Sequence, residues 1–420
     1  MQMKSERNFP KFTVTKKAET SLRAGHPWVY DAEITAMKHA DGTALDAADI
    51  ENGSLIDIVS VKGTYLGTGL YSEKSKIRVR ILAANANETF GESFFERRLR
   101  YAIEYRRTVM QEDFSSCRLI FGEADGLPGL TVDRFSDVLV AQVLSYGMDK
   151  RKDMIFSLLL KIMRELGEEI SGIFERNDVA LRELEGLTQY KAWASVCAED
   201  HPASTETEIV ENGIRYTVDF ENGQKTGFFL DQKYNRREIA RLAKGKTLLD
   251  CFTHTGSFAL NAAKGGAKKV VAVDISEHAV ETARGNAEKN GVSDRMECVK
   301  ADVFDYLRSL YERREKPYDF IILDPPAFTK SRKTVGNAAN GYREINALAM
   351  RILPRGGYLA TCSCSHFMRD DLFRKMLVKC AAETGVKLRQ IEARQQGPDH
   401  PILWGVPETD YLKFYIFQIE

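Results

Sequence analysis

Short apolar runs and helical stretches alternate through the second half of the chain, and this pattern limits the fold more than any other feature. The runs Lys246–Phe252 and Lys268–Asp274 are each followed by a segment with helical spacing, the second of which begins after a good cap residue, Ser276. The alternation continues through "YDFIILDPP" and "GGYLATCSC". Strands separated by helices predict parallel pairing through right-handed crossovers. The sequence therefore predicts an α/β fold with a doubly wound, Rossmann-like sheet.

The last two strand-like runs, Val386–Gln395 and Tyr411–Glu420, are joined by a loop that has no helical pattern. Parallel strands need a crossover, usually a helix, so these two runs are expected to pair antiparallel. Residues 204–420 are therefore predicted to form one doubly wound domain that ends in an antiparallel hairpin.

The first half of the chain has a different pattern. Residues 10–82 are rich in glycine and alternate polar with apolar side chains, which predicts a small β-barrel domain over residues 1–85. Residues 86–203 mix helical stretches with strands separated by Gly/Pro turns, which predicts a small α+β module.

Charge and cysteine content exclude several classes of protein. Lys+Arg and Asp+Glu are 60 each, so a nucleic-acid partner would have to be held by local basic segments such as Lys74–Arg80 and Thr329–Lys333. No apolar stretch is long enough to span a membrane, and the N-terminus lacks the apolar region of a secretory signal. The seven cysteines include no CxxC pair, so we expect no metal site, no disulfide framework and a cytoplasmic location.

Acidic residues are predicted to line the carboxyl ends of the strands, where open α/β sheets bind ligands. They are Asp250, Asp274, Asp302 and Asp324. The first strand-to-helix turn holds one glycine, Gly256, where a dinucleotide fingerprint holds three. This favours a nucleoside with a polar cationic tail over a dinucleotide. Asp274 is placed to accept hydrogen bonds from ribose hydroxyls, and Asp302 is placed near an adenine amino group.

Four segments, "LLDCFTHTGSFAL", "VVAVDIS", "ADVFDYL" and "FIILDPPAF", together resemble the class I S-adenosylmethionine-dependent methyltransferases. The resemblance implies S-adenosyl-L-methionine as cofactor and a terminal hairpin formed by the seventh strand of that fold. It implies that the turn after the first strand cradles the methionine moiety, that Asp274 holds the ribose and that Asp302 lies near the adenine. The cofactor-binding residues predicted on this basis are Asp250, Phe252, Thr253, Thr255, Gly256, Asp274, Ile275, Asp302, Val303 and Asp324.

A narrower resemblance covers nearly the whole chain. The segments "HPWVY", "GEADGLPGLTVDRF", "GQKTGFFLDQK" and "SCSHFM" resemble the bacterial large-subunit ribosomal RNA cytosine-C5 methyltransferases of the RlmI type. This resemblance implies a PUA-like RNA-binding barrel, a central strand-strand-helix-strand-strand module and a catalytic domain. It also places the segment Phe229–Lys233, with Gln232, beside the cofactor, although Lys233 stands where the family is expected to have Arg. The implied partner is an unpaired or flipped cytosine of 23S ribosomal RNA, and a homodimer is a candidate assembly.

The segment Asp324–Phe328 and the cysteines of "TCSCSHF" carry the chemistry of the acceptor. Pyrimidine C5 methylation needs a thiolate that adds to C6 and makes C5 nucleophilic. Cys364 is predicted to be this nucleophile because it lies nearer the carboxyl end of its strand than Cys362, which is expected to pack in the core. Asp324 is predicted to bind the N3/N4 edge of the base. Ala327 occupies the position where many RNA cytosine-C5 enzymes carry a second cysteine.

Contacts to the RNA are predicted on either side of this segment. Phe328 is expected to stack on the target base or to pack in the core. The basic side chains of Lys330, Arg332 and Lys333 are expected to meet phosphates.

Three alternatives remain open on the residues alone. A uracil-C5 methyltransferase would use the same thiolate chemistry. A guanine-nitrogen methyltransferase would use Asp324 and Phe328 and need no cysteine. A protein of another class, an RNA-binding module that no longer catalyses, would fail to bind S-adenosylmethionine.

Overall fold

The structure is a computed structural model that describes residues 7–197, 201–328 and 335–420. The strands of the first half are β1 Lys11–Val14, β2 Trp28–Tyr30, β3 Ile34–Lys38, β4 Leu55–Ser60, β5 Tyr65–Tyr71, β6 Ile77–Ala83, β7 Ser116–Phe121, β8 Leu130–Phe135, β9 Val138–Val143, β10 Gly172–Arg176 and β11 Lys191–Trp193. The helices there are α1 Lys16–Arg23, α2 Glu92–Met110, α3 Tyr146–Asp149 and α4 Lys152–Glu165.

The strands of the second half are β12 Glu206–Glu211, β13 Ile214–Asp219, β14 Thr247–Cys251, β15 Lys269–Asp274, β16 Met296–Lys300, β17 Phe320–Leu323, β18 Tyr358–Ser363, β19 Leu388–Arg394 and β20 Lys413–Ile419. The helices are α5 Lys233–Leu242, α6 Ser257–Lys264, α7 Glu277–Lys289, α8 Val303–Glu312, α9 Val335–Ile352 and α10 Asp370–Thr384. The predicted cap is confirmed, because the Ser276 side chain accepts a hydrogen bond from the Ala279 N–H at the start of α7.

Two sheets form in the first half. One has six strands in the order β2-β6-β5-β4-β1-β3, and the apolar side chains of β1 and β4 that face its core are fully buried. The other has five strands in the order β11-β10-β9-β8-β7. Strands β7, β8 and β9 of this second sheet precede α3 and α4, and β10 and β11 follow them, which adds one strand to the implied strand-strand-helix-strand-strand arrangement.

The seven-stranded sheet of the second half has the order β16-β15-β14-β17-β18-β20-β19. Strands β14 to β18 pair in parallel, and the order reverses between β14 and β17 because the chain first extends to β16 and then returns to the other side of β14. Strand β20 pairs antiparallel with both β18 and β19. The predicted doubly wound sheet and its terminal antiparallel hairpin are therefore confirmed.

The central strand β17 is apolar along its whole length, as is typical of a parallel strand whose two faces are both covered. All four residues of β17, Phe320–Leu323, are fully buried. The first acidic residue after this strand is Asp324, directly at its carboxyl end.

By its contacts the chain divides into two compact units. One comprises residues 1–207, 218–228 and 398–409, and the other comprises residues 208–217, 229–397 and 410–420. The boundaries predicted at 85/86 and 203/204 stay predictions. Among the described residues, no helix is both long enough and apolar enough to cross a membrane.

Candidate functional site

The turn after β14 has a backbone that is costly to form. Phe252 and His254 adopt positive φ values of 62° and 50°, and Gly256 adopts a φ of 80°. A left-handed conformation costs a non-glycine residue about 1–3 kcal/mol, and such strain clusters at ligand-binding sites. At Gly256 an added Cβ would also lie 2.9 Å from the Met296 methyl carbon, so this position needs glycine. The turn is thus held in a special shape by its surroundings.

Asp250 stabilises this turn through two hydrogen bonds that its side chain accepts. Its Oδ2 atom accepts hydrogen bonds from the Thr253 hydroxyl at 2.5 Å and from the Ala259 N–H at 3.0 Å. Burial, and then the negative charges of Asp324 and Asp274, raises the pKa of Asp250 to about 7. A carboxyl group with this pKa changes its charge near neutrality when a cation is placed beside it.

Asp274 and Asp302 lie at the ends of the next two strands. The Asp274 carboxylate accepts hydrogen bonds from the His254 N–H at 2.9 Å and from the Ser276 N–H at 3.0 Å, so it fixes both the strained turn and the start of α7. The Asp302 side chain caps α8 by accepting from the Asp305 N–H at 3.1 Å. Both carboxylates keep lone pairs for a further hydrogen bond, because each oxygen can accept two.

The side chains next to these two acids differ in exposure. Ile275 is exposed over 66% of its surface, and Val303 is buried at the start of α8. Ile275 is therefore an exposed apolar side chain directly after Asp274, whereas Val303 packs in the hydrophobic core.

Asp324 lies between a buried amide and a buried thiol. Gln232 Nε2 donates to its Oδ1 atom at 3.2 Å, and the Cys362 thiol is hydrogen-bonded to the same carboxyl group. Burial, followed by the charge of Asp231, raises the pKa of Asp324 to about 6. Gln232 is in turn oriented by Asn235, whose Nδ2 donates to Gln232 Oε1 at 2.6 Å. The sequence predicted both Asp324 and Gln232 at the site, and the structure brings them together.

The two cysteines of "TCSCSHF" have different surroundings. Cys362 is fully buried in β18, and burial raises the pKa of its thiol well above the usual range. Cys364 lies just beyond the end of β18 and is half-buried. The structure therefore places Cys362 in direct contact with Asp324, and Cys364 is the more accessible of the two sulfurs.

Lys413, on the neighbouring strand β20, was not recognised from the sequence. It lies opposite Ser363 in the register of β18 and β20. Its ammonium group is buried and donates to the carbonyl oxygens of Ser365 and Tyr411, both at 2.7 Å. The only local signal is a lysine at the start of an apolar run.

A second missed group is the buried pair of Arg236 and Glu211. Arg236 donates to both carboxylate oxygens of Glu211, at 2.6 and 2.9 Å, and also to the Phe229 carbonyl at 2.7 Å. Both side chains are almost fully excluded from solvent. The pair therefore fixes the start of the segment Phe229–Lys233, which carries Gln232.

Phe328 packs against aromatic neighbours. Its ring centroid lies 4.7 Å from that of Tyr342 and 5.9 Å from that of Phe304, and the side chain remains half-buried. These contacts favour packing in the core, rather than stacking on the target base, for most of the ring. The predicted phosphate contacts Lys330, Arg332 and Lys333 lie outside the described residues.

The crevice suits the cofactor expected from the sequence. Within the described part of the chain, Asp250 Oδ1 and Thr255 Oγ1 are buried oxygens that have no hydrogen-bond partner. Buried polar atoms without partners are uncommon and indicate a site where a ligand or water completes the hydrogen bonding. Oxygen acceptors, a raised carboxyl pKa and a turn with one glycine fit a cationic nucleoside such as S-adenosylmethionine.

Comparison with known proteins gives matches over the whole chain. Residues 178–414 match the family described as S-adenosylmethionine-dependent methyltransferase, and residues 12–84 match the PUA-like domain family. Ribosomal RNA large subunit methyltransferase I of Klebsiella pneumoniae strain 342 is 38% identical over 413 residues, covering 98% of each chain. The protein of the same name from Aeromonas hydrophila is 40% identical over 404 residues, covering 95% of this chain and 97% of that one.

A solved structure from Streptococcus mutans has a similar fold. That protein is described as a proposed S-adenosylmethionine-dependent methyltransferase, and the two structures superpose with a TM-score of 0.80 over 97% of this chain and 99% of the other. The identity is 22%, so this similarity concerns the fold alone.

Proposed function

The chain belongs to the family of S-adenosylmethionine-dependent methyltransferases represented by ribosomal RNA large subunit methyltransferase I, and on this premise we propose that it forms 5-methylcytosine in large-subunit (23S) ribosomal RNA. One observation supports C5 of the pyrimidine as the methylated atom. Cys364 follows the end of β18 as a half-buried sulfur, next to the strand whose end carries Asp324. A thiol and a carboxyl group at adjacent strand ends are what covalent pyrimidine C5 chemistry requires.

In this proposal the Cys364 thiolate adds to C6 of the cytosine. A bond forms between Sγ and C6, and the electron pair of the C5–C6 double bond becomes available at C5 while N3 gains a proton. S-adenosylmethionine, when bound, supplies an electrophilic methyl group on a sulfonium. After C5 is methylated, a base removes the C5 proton, the C5–C6 double bond re-forms as the thiolate leaves, and N3 gives up the proton that it gained. The cysteine is regenerated, and the net change at C5 is the replacement of hydrogen by methyl.

Asp324 would hold the N3/N4 edge of the base. The N4 amino group is a donor, so it needs the ionised carboxylate, while delivery of a proton to N3 needs the protonated form. Burial raises the pKa of Asp324 to about 6, and the hydrogen bonds from Cys362 and Gln232 favour its ionised form. Such a pKa lets one group serve both states near neutral pH.

The cofactor would be held at the carboxyl ends of β14, β15 and β16, which lie on the opposite side of the β14–β17 reversal from β18. The turn Phe252–Gly256 would take the methionine moiety, Asp274 the ribose and Asp302 the adenine. Gln232 would contact the cofactor and Asp324 together, because its amide already orients that carboxyl group. These assignments rest on the position of each residue at a strand end and on the unpaired oxygens of Asp250 and Thr255.

Ribosomal RNA is proposed as the partner because the curated relatives are named for it and because a PUA-like domain precedes the catalytic half. A base within a duplex cannot enter a pocket at the strand ends, so the target cytosine is expected to be unpaired or flipped out. A homodimer remains an expectation, on which the chemistry does not depend.

The test uses a 23S ribosomal RNA transcript incubated with the protein and S-adenosylmethionine carrying a labelled methyl group. We expect label in 5-methylcytidine when nucleosides are separated by mass spectrometry. RNA that contains 5-fluorocytidine should form an adduct stable to denaturing gels, because fluorine at C5 cannot be removed as a proton. Cys364→Ala should abolish both results, whereas the matched control Cys362→Ala should still form the adduct.

The other outcomes identify the alternatives. Label in 5-methyluridine would change the base, and label in a methylated guanine that survives Cys364→Ala would replace the covalent mechanism. Absence of methyl transfer together with absence of S-adenosylmethionine binding in calorimetry would favour a non-catalytic RNA-binding protein. Loss of the adduct in Cys362→Ala but not in Cys364→Ala would move the nucleophile to Cys362.

A further inference from the structure

Lys413 is a buried lysine whose hydrogen-bond partners are neutral. Its side chain is almost fully excluded from solvent, a rare state for lysine unless a charged partner is present. Its Nζ donates to the Ser365 and Tyr411 carbonyls, both at 2.7 Å. Two carbonyl dipoles hold an ammonium group in place without neutralising it. A positive charge is therefore kept at the point where β18 ends.

The position of Lys413 relative to Cys364 follows from the strand register. Lys413 is opposite Ser363, and its ammonium group reaches the carbonyl of Ser365. Cys364 lies between these two residues. An ammonium group has three donors, so one N–H remains after the two carbonyls are bound. The negative charge of an ionised Cys364 acts on Lys413, in agreement with this placement.

Other ionisable groups surround the pair. Asp410 and Asp370 act on Lys413, and Tyr415 donates a hydrogen bond to Asp370. The charge of an ionised Cys364 also acts on Tyr342 of α9, and burial raises the pKa of the Tyr342 hydroxyl, so that it stays neutral. Burial lowers the pKa of Lys413 to about 8, so its ammonium form still predominates at neutral pH.

We infer that Lys413 is a positioning residue that activates Cys364: its fixed ammonium group stabilises the thiolate that the proposed function requires. The thiol proton leaves to solvent, and Lys413 keeps all three of its hydrogens, so the lysine acts by its charge alone. A nearby cation favours a thiolate over a thiol. The inference rests on the proposed function for its meaning, but the ionisation of the sulfur can be measured without RNA.

The first measurement is the rate of Cys364 alkylation by iodoacetamide as a function of pH, resolved by peptide mass spectrometry. Cys298 is the other half-buried cysteine, and it serves as the internal reference. In the unsubstituted protein we expect the Cys364 rate to reach half its maximum below pH 8. A midpoint at or above about 8.5, the pKa of a free thiol, would overturn the inference without any variant.

Two variants isolate the charge. Lys413→Gln keeps donors for the carbonyls and removes the cation, and Lys413→Arg keeps the cation. We expect Lys413→Gln to raise the Cys364 midpoint by about one pH unit or more, which lowers the alkylation rate at pH 7 about tenfold. Lys413→Arg should restore most of the rate, and the Cys298 profile should stay unchanged in both. An unchanged Cys364 profile in folded Lys413→Gln would overturn the inference.

Methyl transfer separates this inference from the proposed function. If the C5 mechanism holds, Lys413→Gln should lower kcat about tenfold at pH 7, recover activity at higher pH and leave the KM for S-adenosylmethionine unchanged. If Cys364→Ala retains full methyl transfer, the proposed function fails. In that case the alkylation profile still decides whether Lys413 stabilises the Cys364 thiolate.

Discussion

Binding of S-adenosylmethionine should release protons from the crevice, and Asp250→Asn should remove most of that release. Burial raises the pKa of Asp250 to about 7 and that of Asp324 to about 6. A cationic ligand favours the ionised form of nearby carboxyl groups, so binding should lower both pKa values. Groups whose pKa falls on binding give up protons, and the affinity therefore rises as pH increases through the pKa of the free protein.

The size of the effect follows from the two pKa values. At pH 6.5 Asp250 would be about three-quarters protonated and Asp324 about one-quarter, so binding should release about one proton. At pH 7.5 the same arithmetic gives a release of about 0.3 protons, and the affinity should rise roughly fifteenfold between pH 6 and pH 7.5.

Calorimetry in two buffers of different ionisation enthalpy measures the released protons directly. Asp250→Asn keeps an oxygen that can accept from Thr253 and Ala259, and it should reduce the release at pH 6.5 to about a quarter of a proton. S-adenosylhomocysteine lacks the sulfonium charge and should release fewer protons than S-adenosylmethionine. A release near zero at pH 6.5, or a release that Asp250→Asn leaves unchanged, would refute the reasoning.

Three further predictions concern the same half of the chain. Gly256→Ala should lower the free energy of unfolding by about 1–2 kcal/mol in urea titrations, because the left-handed φ of 80° disfavours a Cβ, and equal stability would contradict this. Arg236→Met should lower the free energy of unfolding by about 3–5 kcal/mol, because it leaves Glu211 charged and unpaired in the interior. The double variant Arg236→Met/Glu211→Leu should recover much of that loss. An equal loss of stability in both variants would count against a stabilising role of the pair. Gln232→Leu removes a donor to Asp324 and should raise the pKa of that carboxyl group. The affinity for S-adenosylmethionine should therefore fall more at pH 6 than at pH 7.5. A loss of affinity that is independent of pH would argue against the contact.

The sequence predicted the sheet because its signals are local. Four consecutive apolar residues at Phe320–Leu323, followed by Asp-Pro-Pro, indicate a buried strand, and Ser276 marks the start of a helix within a few residues of the preceding strand. The crossover rule then limits how such units can be ordered. Acidic residues at the strand ends could be assigned to one edge for the same reason, and Asp250, Asp274 and Asp324 do lie there.

Only the tertiary structure decided which side chains meet. Cys362 contacts Asp324, Lys413 reaches the carbonyl beside Cys364, and Arg236 pairs with Glu211 across stretches of chain that carry no common local pattern. Hydrogen-bond partners and burial depend on neighbours brought together by strand order and register. The sequence alone determined that a doubly wound sheet presents acids and a cysteine at one edge; the fold determined how much each of them is removed from water, and this sets the charge each one carries.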